Sequence, residues 1–171
     1  MNSRIKNYAA SFAAAAALVA LDQWTKFLTI CHLKDQPAIP LIEGVLELQY
    51  LENRGAAFGM MQGRQLFFAV VTVVLLTMIA FYYTRIPEGR RFLPMRMIMI
   101  AVIAGAVGNF IDRCRFDYVV DMIYFKLIDF PIFNVADCYV TVSVFVFAAL
   151  ILWFYKEEEL DFLFHPFQKK G

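Results

Sequence analysis

The sequence predicts an all-α membrane bundle of four transmembrane helices carrying a small extracytoplasmic β-sheet. Three observations lead there. Of the 171 residues, 61% are hydrophobic and 18% charged, against about 45–50% and about 25% in a soluble domain; the mean hydropathy is +0.59. Four apolar runs each approach the roughly 20 residues a helix needs to cross a bilayer. Between the first two lies Leu46-Glu47-Leu48-Gln49-Tyr50, alternating apolar and polar as a half-buried strand does. The length fits one domain, residues 1–171.

The first run covers residues 8–30. Its positive start (Arg4, Lys6) and the stretch Ala14-Ala15-Ala16 resemble a cleavable signal peptide. The apolar register continues through Leu18, Val19, Leu21, Trp24, Phe27 and Leu28, the length of a retained span. The others are expected at residues 66–84, 92–112 and 135–155. Arg85, Arg90, Arg91 and Arg96 crowd the short loop between the second and third runs, so that loop and both termini are placed in the cytoplasm. The loops over residues 31–65 and 114–134 carry Glu43, Glu47, Glu52, Asp117 and Asp129 and face outward. The second adds a Val-, Ile- and aromatic-rich stretch from Val119 to Ile132, a further contribution to the sheet, with Pro131 barring a helix.

Several function classes drop out. A net charge of +1, with no basic cluster interleaved with aromatics, gives nucleic acid no footprint. Cys31, Cys114 and Cys138 form no CxxC pair and, with only His32 and His165, build no zinc site, so they read as small buried hydrophobes.

The informative residues are the ionisable ones in apolar surroundings. A charge at the centre of a bilayer costs at least about 2.5 kcal/mol, which makes an intramembrane acid a functional candidate. Asp121 follows Val119-Val120, and Asp137 opens the fourth run. Asn134 and Asp137 have the spacing of a helix N-cap and its third residue, which on its own merely starts a helix. Asp121, in its Val-Val-Asp setting, has no such explanation. Two acids in contrasted environments suit a division of acid and base work, sharing one proton to activate water. On the third run Ala101, Gly105, Gly108, Asn109, Asp112 and Arg113 share one face, fitting either a packing seam or a functional stripe. Asn53-Arg54-Gly55-Ala56-Ala57-Phe58 makes a turn whose backbone can approach a ligand. Asp22 and Lys26 are spaced for an i, i+4 ion pair that either neutralises itself or tethers a loop near the site.

Five segments in order, Asp22-Gln23-Trp24-Thr25-Lys26, Asn53-Arg54-Gly55-Ala56-Ala57-Phe58, Gly108-Asn109-Phe110-Ile111-Asp112-Arg113, Val119-Val120-Asp121 and Phe133-Asn134-Val135-Ala136-Asp137, together resemble the lipoprotein signal peptidase (signal peptidase II) family. The resemblance runs from about Asp22 to Ser143. It implies an aspartic endopeptidase of the bacterial inner (cytoplasmic) membrane with an extracytoplasmic cradle. Such an enzyme cuts diacylglyceryl-modified prolipoproteins before the lipidated cysteine, without a metal or other cofactor. Asp121 and Asp137 then correspond to the catalytic dyad, near the extracytoplasmic face. Asn53, Gly55, Gly108, Asn109, Asp112, Arg113 and Asn134 fall on site-lining motif positions, and Asp22 and Lys26 on the first-helix motif. The expected partners are a lipidated prolipoprotein and the bilayer, with no nucleic acid, and the protein is expected to act as a monomer. Two positions depart from the family pattern: Asp117 stands where a Gly is usual, and Met122 where a Phe is. The competing readings are a small proton- or ion-coupled transporter using Asp22, Asp121 and Asp137 as relay sites, which needs polar groups through the whole bilayer, and a metal-dependent lipid phosphotransferase, for which the repeated Asp-Gly ligand pattern is missing.

Overall fold

The computed structural model describes residues 3–55 and 65–164; the second half of the Asn53–Phe58 turn lies outside them. The elements are α1 (Ser3–Leu33), β1 (Ile39–Ile42), β2 (Leu46–Asn53), α2 (Gln65–Arg85), α3 (Leu93–Phe116), β3 (Val119–Tyr124), α4 (Val135–Ala149) and a short α5 (Asp161–Phe164). Leu66–Arg85, Arg90–Phe116 and Val135–Phe154 are long and apolar enough to cross a membrane. At 31 residues α1 is longer still, but alanines and the Asp22–Lys26 pair dilute its apolar character.

α3 is the central helix, packed against α1, α2 and α4. Its small residues make that possible. A Cβ on Gly105 would sit 2.6 Å from the Ala136 carbonyl oxygen, and one on Gly108 would sit 2.4 Å from Asp22 Oδ2. The small-residue face is therefore a packing seam, and its polar end is where other elements converge. α3 runs four residues past the expected boundary and stops at Asp117, whose φ of 62° is left-handed and whose N–H donates to the Arg113 carbonyl at 3.1 Å. Asp is among the few residues other than Gly that adopt this conformation routinely, so the departure from the family's Gly is accommodated locally.

The sheet is antiparallel in the order β1-β2-β3. Leu51 faces Asp121 and Asn53 faces Val119, which sets Asn53 beside Asp121. The first four residues of β3 are all buried, pressed against α1 and α3 as well as β2. A strand covered on both faces shows no alternation. The expectation of sheet from Val119 to Ile132 is corrected: the strand ends at Tyr124, Lys126–Ile128 forms a single 3-10 turn, and Asp129 is left-handed at φ 48°. The chain rejoins the sheet through an Ile123–Phe133 bridge. β1, exposed throughout, had no alternation to announce it. The cysteines also differ from expectation, since Cys31 and Cys114 are exposed on the helix surface and only Cys138 is half-buried.

At the opposite end of the bundle α4 closes with a π-helical turn over Leu150–Phe154. Tyr155 stacks on Phe92 at 5.4 Å and donates its hydroxyl to the Arg91 carbonyl at 3.1 Å. Arg91 binds Glu159 through two hydrogen bonds, at 3.0 and 3.1 Å. Leu160 and Phe162 complete a core with Tyr83, Ile86 and Met95.

Because Asp117 carries the left-handed turn into β3, Asp117→Gly is expected to be tolerated. Asp117→Val should cost about 1–2 kcal/mol, the penalty for a side chain crowded at positive φ. Thermal unfolding in detergent measures both, and equal midpoints would remove the backbone explanation.

Candidate active site

The site is built on a buried ion cluster. Lys26, 2% exposed, places its ammonium 3.0 Å from Asp22 Oδ2, 2.9 Å from Asp112 Oδ2 and 2.8 Å from Asn109 Oδ1. All three of its donors are used. Asp22, 0% exposed, accepts the Ala136 N–H through Oδ1 at 3.0 Å, so a carboxylate of α1 binds the first turn of α4. Asp112 Oδ2 accepts the Val120 N–H at 3.2 Å and holds β3 against α3. Gln23, which the sequence did not single out as a site residue, donates to Asp112 Oδ1 at 2.9 Å and to the Gly108 carbonyl at 3.1 Å.

Above this layer sit the two acids. Asn134 is the N-cap of α4 and forms a capping box with Asp137: its Oδ1 accepts the Asp137 N–H at 3.0 Å, and its own N–H donates to Asp137 Oδ2 at 3.1 Å. Its Nδ2 donates to Asp121 Oδ1 at 2.6 Å and to Asn109 Oδ1 at 3.1 Å. One cap residue thus starts the helix and bridges both acids. Asn109 Nδ2 completes Asp137 by donating to Oδ1 at 2.8 Å, and Asn53 Nδ2 completes Asp121 by donating to Oδ2 at 2.9 Å. The Gly55 N–H fixes the Asn53 amide by donating to its Oδ1 at 3.0 Å. Each acid therefore holds two amide donors, and the amides cannot flip without losing a partner. Burial, followed by the neighbouring Asp137 charge, pushes Asp121 up to about 7, against the pull of the Asn53 and Asn134 donors.

The acids open onto a cleft of about 1030 Å³, lined from β2, α3, the chain after β3 and the start of α4. Of the sequence candidates, Asn53, Gly55, Asn109, Arg113, Asp121 and Asp137 line it. Asp22, Lys26, Gly108, Asp112 and Asn134 stand behind it in the buried layer. Arg113 reaches the Gly55 carbonyl at 3.4 Å and lies over the Phe68 ring at 5.0 Å, tying α3 to α2 and to the turn after β2. Sequence reasoning missed the outer rim. There Tyr50 donates to Glu52 at 3.0 Å and meets the Tyr118 hydroxyl at 3.1 Å, while Arg54 pairs with Glu52 at 2.9 Å and lies over the Tyr118 ring. Burial raises the Tyr50 hydroxyl well above the ordinary tyrosine value. Each of these is an ordinary surface residue type, and only the strand register brings them together.

Residues 14–154 match the family model described as signal peptidase (SPase) II, Peptidase_A8. The chain belongs to the signal peptidase II family. A lipoprotein signal peptidase of Streptococcus thermophilus (strain CNRZ 1066) is 44% identical over 145 residues, covering 85% of this chain and 92% of that protein. One from Streptococcus pyogenes serotype M5 (strain Manfredo) is 42% identical over 142 residues, covering 83% and 90%. A bacterial membrane enzyme solved by the in meso method at 1.9 Å superposes with a TM-score of 0.74 at 32% identity, covering 85% of this chain and 94% of that one. The signal peptidase II chain is thus a bacterial membrane protein and an aspartic peptidase. The transporter reading has no support: the acids named for a relay gather at one end of the bundle.

Replacing Lys26 by Met strands Asp22 and Asp112 as buried charges. The expected cost is about 3–5 kcal/mol, the range for breaking a buried pair from one side. Lys26→Arg should recover little, because a planar guanidinium cannot reproduce three convergent ammonium bonds. Denaturant titration of the purified variants checks both, and wild-type stability for Lys26→Met would dismiss the cluster as a keystone.

Proposed function

We propose that this protein is a membrane aspartic endopeptidase that removes signal peptides from diacylglyceryl-modified prolipoproteins, with Asp121 and Asp137 as its catalytic pair. The observation that carries the reading is the pair itself: two acids bridged by Asn134 at the wall of a cleft. As a single domain it crosses the membrane four times, α1 included, with both termini cytoplasmic and the dyad near the extracytoplasmic face. The Arg-rich loop between α2 and α3 supports that orientation.

In the mechanism Asp137 is the base and Asp121 the acid. Protonated Asp121 donates a hydrogen bond to the scissile carbonyl oxygen. Asp137 takes a proton from water as the water oxygen attacks the carbonyl carbon. Asp121 then protonates the departing amine as the C–N bond breaks, and the proton left on Asp137 returns the pair to its starting state. Asn53 and Asn109 act as preorganised dipoles that hold each carboxyl in one orientation. Lipid chains on the substrate stay in the bilayer, where burial contributes about 0.8 kcal/mol per methylene.

Asp121→Asn and Asp137→Asn are each expected to lower turnover by about 10²–10⁴ while the protein stays folded. Asn53→Ala and Asn109→Ala should cost about 10-fold or more, less than either dyad change. The assay is cleavage of a lipidated prolipoprotein in detergent with mass spectrometry of the cut site, and an unchanged rate in either dyad variant refutes the assignment.

pH provides an independent check. Asp121 is raised in the folded state, so its acid form is lost as pH climbs through about 7, and kcat should fall over the same interval. Folding stability should likewise fall as pH rises from about 4 to 7, because the native state then binds more protons than the unfolded chain. A kcat flat from pH 6 to 9 would exclude Asp121 as the proton donor. Chelators are expected to leave the rate unchanged; activity lost in EDTA and restored by a divalent ion would favour the phosphotransferase reading.

A further inference from the structure

The ladder between β2 and β3 ends at the pair Asn53–Val119, so Arg54 and Tyr118 stand where the next rung would be. Side chains take over at that point. The Arg54 guanidinium lies 5.1 Å from the centre of the Tyr118 ring and donates to Glu52 Oε2 at 2.9 Å. The Tyr118 ring stacks at 5.6 Å on Phe116, the last residue of α3, and its hydroxyl meets that of Tyr50 at 3.1 Å. Tyr50 donates to Glu52 Oε1 at 3.0 Å. Lys34, the residue after α1, reaches the same oxygen at 3.5 Å and lies over the Tyr50 ring. A single exposed ion pair fixes little. Here three charges, two phenols and a stacked ring are shared among the ends of α1 and α3 and both strands. At the centre stands Asn53, with Glu52 and Arg54 held on either side of it in the chain.

We propose that Arg54 and Tyr118 are positioning residues for the reaction, a clip that closes the end of the β2–β3 ladder and holds the Asn53 amide against Asp121. The clip rests on the peptidase reading, because it acts on catalysis through that acid. Its leverage is short. Asn53 Nδ2 donates to Asp121 Oδ2 at 2.9 Å, and a displacement of roughly 1 Å at such a contact is enough to cost rate. Asn53 is one of the two amides that favour the Asp121 carboxylate. With the strand end loosened that donor is withdrawn, and the acid form of Asp121 persists to higher pH. The other charges that Asp121 meets are Asp137 of α4, Lys26 of α1 and Arg113 of α3, with Asp22 and Asp112 beside Lys26. A substitution at Tyr118 alters none of these charges.

The test is Tyr118→Leu in the full chain, which removes the ring without changing a charge. For a lipidated prolipoprotein kcat should fall about 3- to 10-fold at unchanged KM. The alkaline limb of the kcat profile should move up by about one pH unit or less, the loss of one charge-assisted hydrogen bond, as it does in Asn53→Ala. Tyr118→Phe, which keeps the ring, should recover most of the rate. Combining Tyr118→Leu with Asn53→Ala should be no worse than Asn53→Ala alone, because both act through one bond. Arg54→Lys keeps the charge but not the planar stack and should repeat Tyr118→Leu; it decides the matter if Tyr118→Leu does not fold. An unmoved alkaline limb, or losses that multiply in the double variant, overturns the clip. The titration of Asp121 is also followed directly, by the carboxyl-carbon NMR signal that Asp121→Asn removes, and this needs no substrate. No cut by the unsubstituted protein defeats the peptidase reading, whereas an Asp121 titration unchanged by Tyr118→Leu defeats the clip alone.

Discussion

The ammonium of Lys26 is the constraint around which the rest is arranged. It is nearly inaccessible, and its partners come from α1 itself and from α3. Those partners in turn hold β3 through the Val120 N–H and α4 through the Ala136 N–H. Desolvating one cation and two anions is expensive, and the geometry offsets that only because the lone pairs find further donors. Gln23 and the two backbone N–H groups supply them. Gly108 is glycine for the same reason, since Asp22 occupies the space a Cβ would need.

From that base the two acids are held by different elements. Asp137 sits in the first turn of a helix and accepts a backbone N–H from its own N-cap. Asp121 sits on a strand covered on both faces, where burial and a nearby negative charge favour the acid form. Asn134 serves both, so the residue that starts α4 also ties the two acids together.

Much of this was legible in the sequence because it is local. Apolar run length gave α2, α3 and α4; the Asn134–Asp137 spacing gave the start of α4; the i, i+4 spacing gave the Asp22–Lys26 pair. The two-faced β3 resisted reading, since only its neighbours decide that Val119 to Met122 are all buried, and exposed β1 carries no period at all. The i, i+4 spacing alone leaves open whether the Asp22–Lys26 pair neutralises itself or tethers a loop; in the fold it is an ion pair that binds α3 and the first turn of α4. That needed contacts across more than 80 residues of chain. The rim of Tyr50, Glu52 and Tyr118 was invisible for the same reason.

The i, i+4 placement of Asp22 and Lys26 also bears on the order of assembly. Asn109, Asp112, Val120 and Ala136 all follow them by more than 80 residues, so none is present when α1 first leaves the ribosome. Paired at 3.0 Å on one helix face, they form a neutral unit in which each charge has its counterion within α1 itself, before any partner from α3 is made.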